Sequence, residues 1–110
     1  MQLVHYAGLS LVTGDAITLA LLRYAGALAV AEEAATVQIP VRTPDGGQSS
    51  ATLLVGPASQ LAAEPIESEH DELLDAELVA HFEALASSVS TTARPITADG
   101  PVTGSIEEDL

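Results

Sequence analysis

The chain has no cysteine, so disulfides, thiol nucleophiles and cysteine-ligated metals are excluded from the start. It has no lysine either, which removes Schiff-base chemistry and the ammonium group that usually holds nucleotide phosphates. Arg23, Arg42 and Arg94 carry its entire permanent positive charge, against 16 carboxylates, for a formal net charge of -13 on 110 residues. A surface of that sign repels phosphate backbones at every approach, and nucleic-acid binding is not expected. Aromatic residues make up only 3%, without tryptophan, so a core must be assembled from Leu, Val, Ile and Ala. Such a core buries little area per residue, and either modest stability or an oligomer that adds buried surface is expected.

Long hydrophobic runs are also scarce. Residues 16–31 are apolar apart from Thr18 and Arg23. A membrane span needs about 20 apolar residues, and a central arginine costs about 2.5–3.5 kcal/mol on insertion. No membrane association is expected. Ala29-Val30-Ala31 before Glu32 imitates a signal-peptidase site, but the preceding segment has no basic n-region. The expected location is therefore cytoplasmic, with secretion as the alternative.

What is present is enough for one domain, with 47% hydrophobic residues. Gln2–Tyr6 and Leu9–Val12 read as two short strands folded at Ala7-Gly8. Thr13-Gly14-Asp15 opens a helix expected to run from Asp15 to Glu33, with Thr13 or Asp15 capping its free amides. The helix is apolar on most of its circumference, so it must be buried on more than one side. Val37, Ile39 and Val41 then alternate with Gln38, Pro40 and Arg42, the period of a half-buried strand. Pro40 cannot donate to a ladder, which implies a free side there. Pro44-Asp45-Gly46-Gly47 is turn chemistry, Ala51–Val55 is the return strand, and Gln60–Ile66 supplies a further short strand.

A second helix is expected over about His70–Ser87, with Leu74, Leu78, Phe82, Leu85 and Val89 forming its apolar stripe. Ser68 with Asp71 makes a capping-box-like start. From Ser88 onward Ser, Thr, Pro and Gly dominate without periodicity. The domain division is therefore a compact domain over residues 1–89 and an acidic, disordered tail over 90–110. The fold class that follows is α+β: a small antiparallel sheet of four or five strands, a long helix on one face and a second C-terminal helix.

Motifs that carry chemistry are few. The acids Glu64, Glu67, Glu69, Asp71, Glu72, Asp75 and Glu77 form a run without a basic residue, but the stretch lacks the glycine turn of a calcium loop. It reads as a solubilising helix start. On the expected helix His70, Glu77 and His81 share one edge, yet the two histidines lie about 16 Å apart by helix rise. No metal or other cofactor is expected, and Glu77–His81 reads as an ion pair. Ser59 stands in Gly56-Pro57-Ala58-Ser59-Gln60, which is not the G-x-S-x-G elbow of a hydrolase. Catalytic residues are therefore not assigned.

The segments QLVHYAG, GDAITLALLRYA, VQIPV and LLVGPASQL resemble small actinobacterial domains of unknown function. That resemblance covers about residues 1–85 and implies a strand–strand–helix–strand–strand layout with a C-terminal helix or tail. It carries no catalytic motif. The functional expectation is a non-enzymatic acidic interaction module, acting as a homodimer or on a basic protein partner. The alternative is a small-molecule binding domain or minor enzyme, with a pocket lined by His5, Tyr6, Tyr24, Ser59 and Gln60.

Overall fold

The computed structural model describes residues 1–93 and shows the α+β architecture. In chain order the elements are β1 (Gln2–Tyr6), β2 (Leu9–Thr13), α1 (Asp15–Ala31), β3 (Ala35–Arg42), β4 (Gln48–Val55), β5 (Leu61–Pro65) and α2 (Ala76–Ala93). The strands form one antiparallel sheet in the order β4-β3-β2-β1-β5. Both hairpins follow from local chemistry. Ala7 and Gly8 take positive φ of 50° and 83°, and Gly46 takes 91° in the β3–β4 turn. The two-residue β1–β2 reversal requires positive φ at both positions, and the β3–β4 turn, whose residues 44–46 are closed by Thr43 and Gly47, requires it at its last.

The sheet is not a uniform ladder. β2 meets β3 through one pair, Val12 with Arg42, so the two hairpins diverge from that point. Pro40 faces this gap, and its carbonyl accepts the Thr13 hydroxyl at 2.7 Å instead of a strand amide. The free side expected of Pro40 is thus turned toward β2. The sheet also curls. Edge strands β4 and β5 are joined by residues 56–60, and the Tyr6 hydroxyl on β1 reaches the Leu54 backbone on β4. In a flat sheet those strands lie three spacings of about 4.8 Å apart, further than one tyrosine side chain reaches.

The core joins Val37, Ile39, Val41, Leu53 and Val55 of the β3–β4 hairpin to Ile17, Ala20, Leu21, Tyr24 and Leu28 of α1. α2 closes it with Phe82, whose ring stacks on Tyr24 at a centroid distance of 5.8 Å. The Arg23–Glu83 ion pair (2.6 Å) lies beside that stack. No helix among the described residues is long and apolar enough to cross a membrane. Cleavage at Ala29–Ala31 would remove β1, β2 and all five of those α1 core side chains.

Several boundaries differ from expectation. β2 runs one residue further, to Thr13, and β4 begins at Gln48, three residues before the expected return strand, because its pairing with β3 continues to Arg42. α1 ends at Ala31, two residues early, because Glu32 turns to φ 59° and its amide and that of Glu33 bond back to Ala29 and Leu28. Its N-terminus is capped neither by Thr13, whose hydroxyl serves Pro40, nor by Asp15. The Glu72 carboxylate instead accepts the Asp15 amide at 2.6 Å from a distant segment. The Met1 ammonium bridges Asp15 and Glu72 at 2.9 Å, which raises its own pKa and lowers that of Asp15.

α2 begins at Ala76, not near His70, and Asp75 caps it by accepting the Leu78 amide at 3.1 Å. Residues 66–75 form an irregular strap across the end of the sheet. Consequently Leu73 is buried at 3% exposure and Leu74 is 77% exposed, the reverse of the expected stripe. His70 lies in the strap against Gly46, so it shares no helix edge with Glu77 and His81. Ser68 accepts the His70 amide within the strap and starts no helix. Helix also continues through Ser90 to Ala93, past the expected domain boundary; the rest of the expected tail lies outside the described residues.

The β3–β4 turn has a pH signature. Asp45 accepts hydrogen bonds from the Thr43 hydroxyl and from the Gly47 amide at 3.2 Å. Thr43 first, then Gly47, lowers the Asp45 pKa. A carboxylate lowered by folding contributes stability above its unfolded value of about 3.9, and loses it as pH falls through the folded value. Asp45→Asn should therefore lose less stability than the parent chain between neutral pH and roughly pH 3, a range that spans that unfolded value. Urea midpoints of both proteins at the two pH values check this.

Candidate functional site

The end of the sheet opposite the strap carries an open cleft of about 950 Å³. It is formed where the β1–β2 turn, Ala34 just before β3, the end of β4 and the loop 56–60 converge. The curl of the sheet brings these parts together, since only a curled sheet allows so short a link between its edges. Exposed Leu9 and Leu54 border the cleft, with Ala7, Pro57 and Ala58.

Four of the five residues expected at a ligand pocket line this cleft: His5, Tyr6, Ser59 and Gln60. Tyr24 does not. It is 6% exposed in the core against Phe82, because α1 turns that stripe toward the sheet and α2. Two of the four have their polar atoms committed. The Tyr6 hydroxyl donates to the Leu54 carbonyl at 2.6 Å and accepts the Leu54 amide at 3.1 Å. The Ser59 hydroxyl donates to the same carbonyl at 3.0 Å and accepts the Gly56 amide at 3.0 Å. Tyr6 thereby seals the outer edge of β4 at Leu54, and Ser59 fixes the loop. With its hydroxyl engaged as donor and as acceptor by backbone groups, and hydrogen-bonded to no histidine or carboxylate among the described residues, Ser59 serves here as a structural group. Gln60 is exposed at the rim.

His5 makes a different arrangement, on the outer sheet face. Its Nε2 lies 2.8 Å from Glu64 Oε2, and its Nδ1 lies 3.2 Å from Ser10 Oγ. With the proton on Nε2, the ring donates to Glu64 and accepts from Ser10. The order serine–histidine–carboxylate is that of a proton relay. Its setting is not that of a catalytic centre: the His5 and Glu64 side chains are 44% and 59% exposed, and a hydrated relay gains little from electrostatic preorganisation.

Ser10 and Glu64 were not among the expected site residues. Ser10 has a sequence signal, because a turn at Ala7-Gly8 pairs position 5 with position 10, as observed. Glu64 has none, since its place depends on β5 pairing with β1 from 59 residues away. No group of three or more His, Asp or Glu side chains placed to hold a metal occurs among the described residues. No family model, curated protein or solved structure matches the chain.

Proposed function

We propose that this chain is a non-enzymatic interaction module that acts as a homodimer. The observation that supports this most is apolar surface left uncovered on a helix that is already packed. Leu19 is 50% and Val30 84% exposed on α1, while Ile17, Ala20, Leu21, Tyr24 and Leu28 of the same helix are buried. Leu9 and Leu54 are exposed as well, at 57% and 58%. A small core with one phenylalanine gains stability by covering such groups. The cleft supports the same reading, because the hydroxyls of Tyr6 and Ser59 hold the fold together.

A basic protein partner is the heterologous form of this reading, and salt separates the two. Copies that each carry a formal charge of -13 repel, so screening tightens a homodimer, whereas it loosens a complex with a basic protein. Light scattering at high micromolar concentration should give twice the monomer mass, with the dimer fraction rising with salt. A strict monomer at every salt concentration overturns the proposal. It would favour a second reading, a small-molecule site in the cleft, which the Ser10–His5–Glu64 chain of hydrogen bonds supports.

A further inference from the structure

Among the described residues no strand pairs with the outer edge of β4, and its backbone parity follows from two independent contacts. Leu54 turns both its amide and its carbonyl to Tyr6, so at this position the main chain faces away from β3. Pro40, paired with Ser50, turns its carbonyl to Thr13 on the opposite side, which makes Pro40–Ser50 a pair without mutual hydrogen bonds. Strand groups alternate with period two. Gln48, Ser50 and Thr52 therefore direct their N–H and C=O groups outward as well, and all three residues are exposed.

Natural edge strands are blunted by charge, proline, bulges or a covering element. β4 has none of the first two: its sequence QSSATLLV contains neither a charged residue nor a proline. Among the described residues, the side chains that bond to its outer edge are Tyr6 and Ser59, both at Leu54. The edge is also electrostatically permissive, since no acid occurs between Asp45 and Glu64. Two copies that meet along 48–52 bring no carboxylate of that segment toward each other.

We infer that two copies of this chain join β4 to β4 in antiparallel register about Ser50, forming one continuous sheet. The inference rests on the homodimer reading above and places its seam on the backbone edge of β4, so that Leu19 and Val30 of α1 lie outside the 48–52 contact. Self-pairing about Ser50 sets Gln48 opposite Thr52 of the second copy and Ser50 opposite its own counterpart. Each such pair exchanges two N–H···O bonds. The ends match too. In this register Gly46, where the chain has already turned away, falls opposite Leu54 of the second copy, where Tyr6 occupies the edge. The turn at one end and the tyrosine at the other bound the same stretch, 48–52, in both copies.

The seam predicts a specific response to substitution at Ser50. Its amide is not used within the β3–β4 ladder, so Ser50→Pro leaves that ladder intact and removes a donor from the seam. Ser50→Asp keeps the donor but sets like charges directly opposite each other across the two-fold axis. Both variants should be monomers at concentrations where the parent chain is a dimer, a change of at least tenfold in dissociation constant. Circular dichroism of the monomeric variants should match that of the parent chain. Hydrogen exchange supplies a readout that does not depend on mutation. The amides of Gln48, Ser50 and Thr52 should be protected in the parent dimer and exchange faster on dilution. If the parent chain is a dimer that both variants retain, or if those amides stay unprotected in it, the seam lies elsewhere and this inference falls alone. If the parent chain is a monomer, the homodimer reading falls with it.

Discussion

Phe82→Ala is expected to cost about 3–5 kcal/mol, the largest effect of any single substitution in this fold. Phe82 is the only phenylalanine, is 2% exposed and stacks on Tyr24. It is also the main side chain through which α2 enters the core, alongside partly buried Leu78, Leu85 and Val89. Truncation removes the ring and leaves a cavity lined by Tyr24 and its aliphatic neighbours, which close-packed helices fill only in part. Small domains are stable by about 5–15 kcal/mol, so the variant should sit near the edge of unfolding. A fall of roughly 4–8 °C in Tm accompanies each kcal/mol at this size, and thermal denaturation reads it directly. Phe82→Leu, which keeps most of the volume, should recover most of the loss. If Phe82→Ala melts within a few degrees of the parent chain, α2 is not part of the cooperative core.

Gly14→Ala comes next, at about 1–3 kcal/mol for an overpacked site. The reason is contact, not conformation: φ at Gly14 is -74°, which any residue adopts. A Cβ there would stand 1.9 Å from the Leu73 carbonyl oxygen and 3.0 Å from its carbon. These are backbone atoms, so the strap itself would have to move. Movement of the strap lifts Leu73 out of the core and draws the Glu72 carboxylate away from the α1 N-terminus. The same substitution at Gly26, where an added Cβ meets nothing within 4 Å, should stabilise the helix by the usual advantage of alanine, roughly 1 kcal/mol. Urea midpoints of the two variants should therefore move in opposite directions. Equal shifts would mean that the strap does not bear on α1 as described.

The contrast between the two glycines shows how far local pattern reaches. Val37, Ile39 and Val41 alternate with polar neighbours, and the chain around them is a strand facing the core. Ala7-Gly8 and the Pro44–Gly47 segment reverse the chain where their residues permit positive φ. These are properties of a few consecutive residues, so they can be read without knowing what lies across the sheet. The pairing of His5 with Ser10 belongs with them, because a tight hairpin leaves one register available.

His70 to Asp75 behaved otherwise. The spacing from Leu74 to Val89 suits a longer helix, and Ser68 offers a start, yet the chain stays irregular until Asp75. Here the strap gains contacts that a helix would forfeit: Leu73 enters the core, Glu72 caps α1, and the Asp71 carbonyl accepts the Arg42 guanidinium at 3.1 Å. Each partner is distant in sequence, so no local period announces it. Tyr24 was misplaced for the same reason. A helix apolar nearly all round does not reveal which stripe the sheet will cover, and α2 settled that by placing Phe82 against it.

Sequence alone determined the strands, the turns, the first helix and the classes of chemistry that this chain lacks. Those follow from side-chain period, backbone freedom at glycine and the charge of individual residues, all of which act over a few positions. Tertiary structure decided which strand edges meet, where α2 starts, and that the Tyr6 and Ser59 hydroxyls bond to the Leu54 backbone. These outcomes depend on competition between contacts far apart in the chain, and only the curl of the assembled sheet brings those partners within reach.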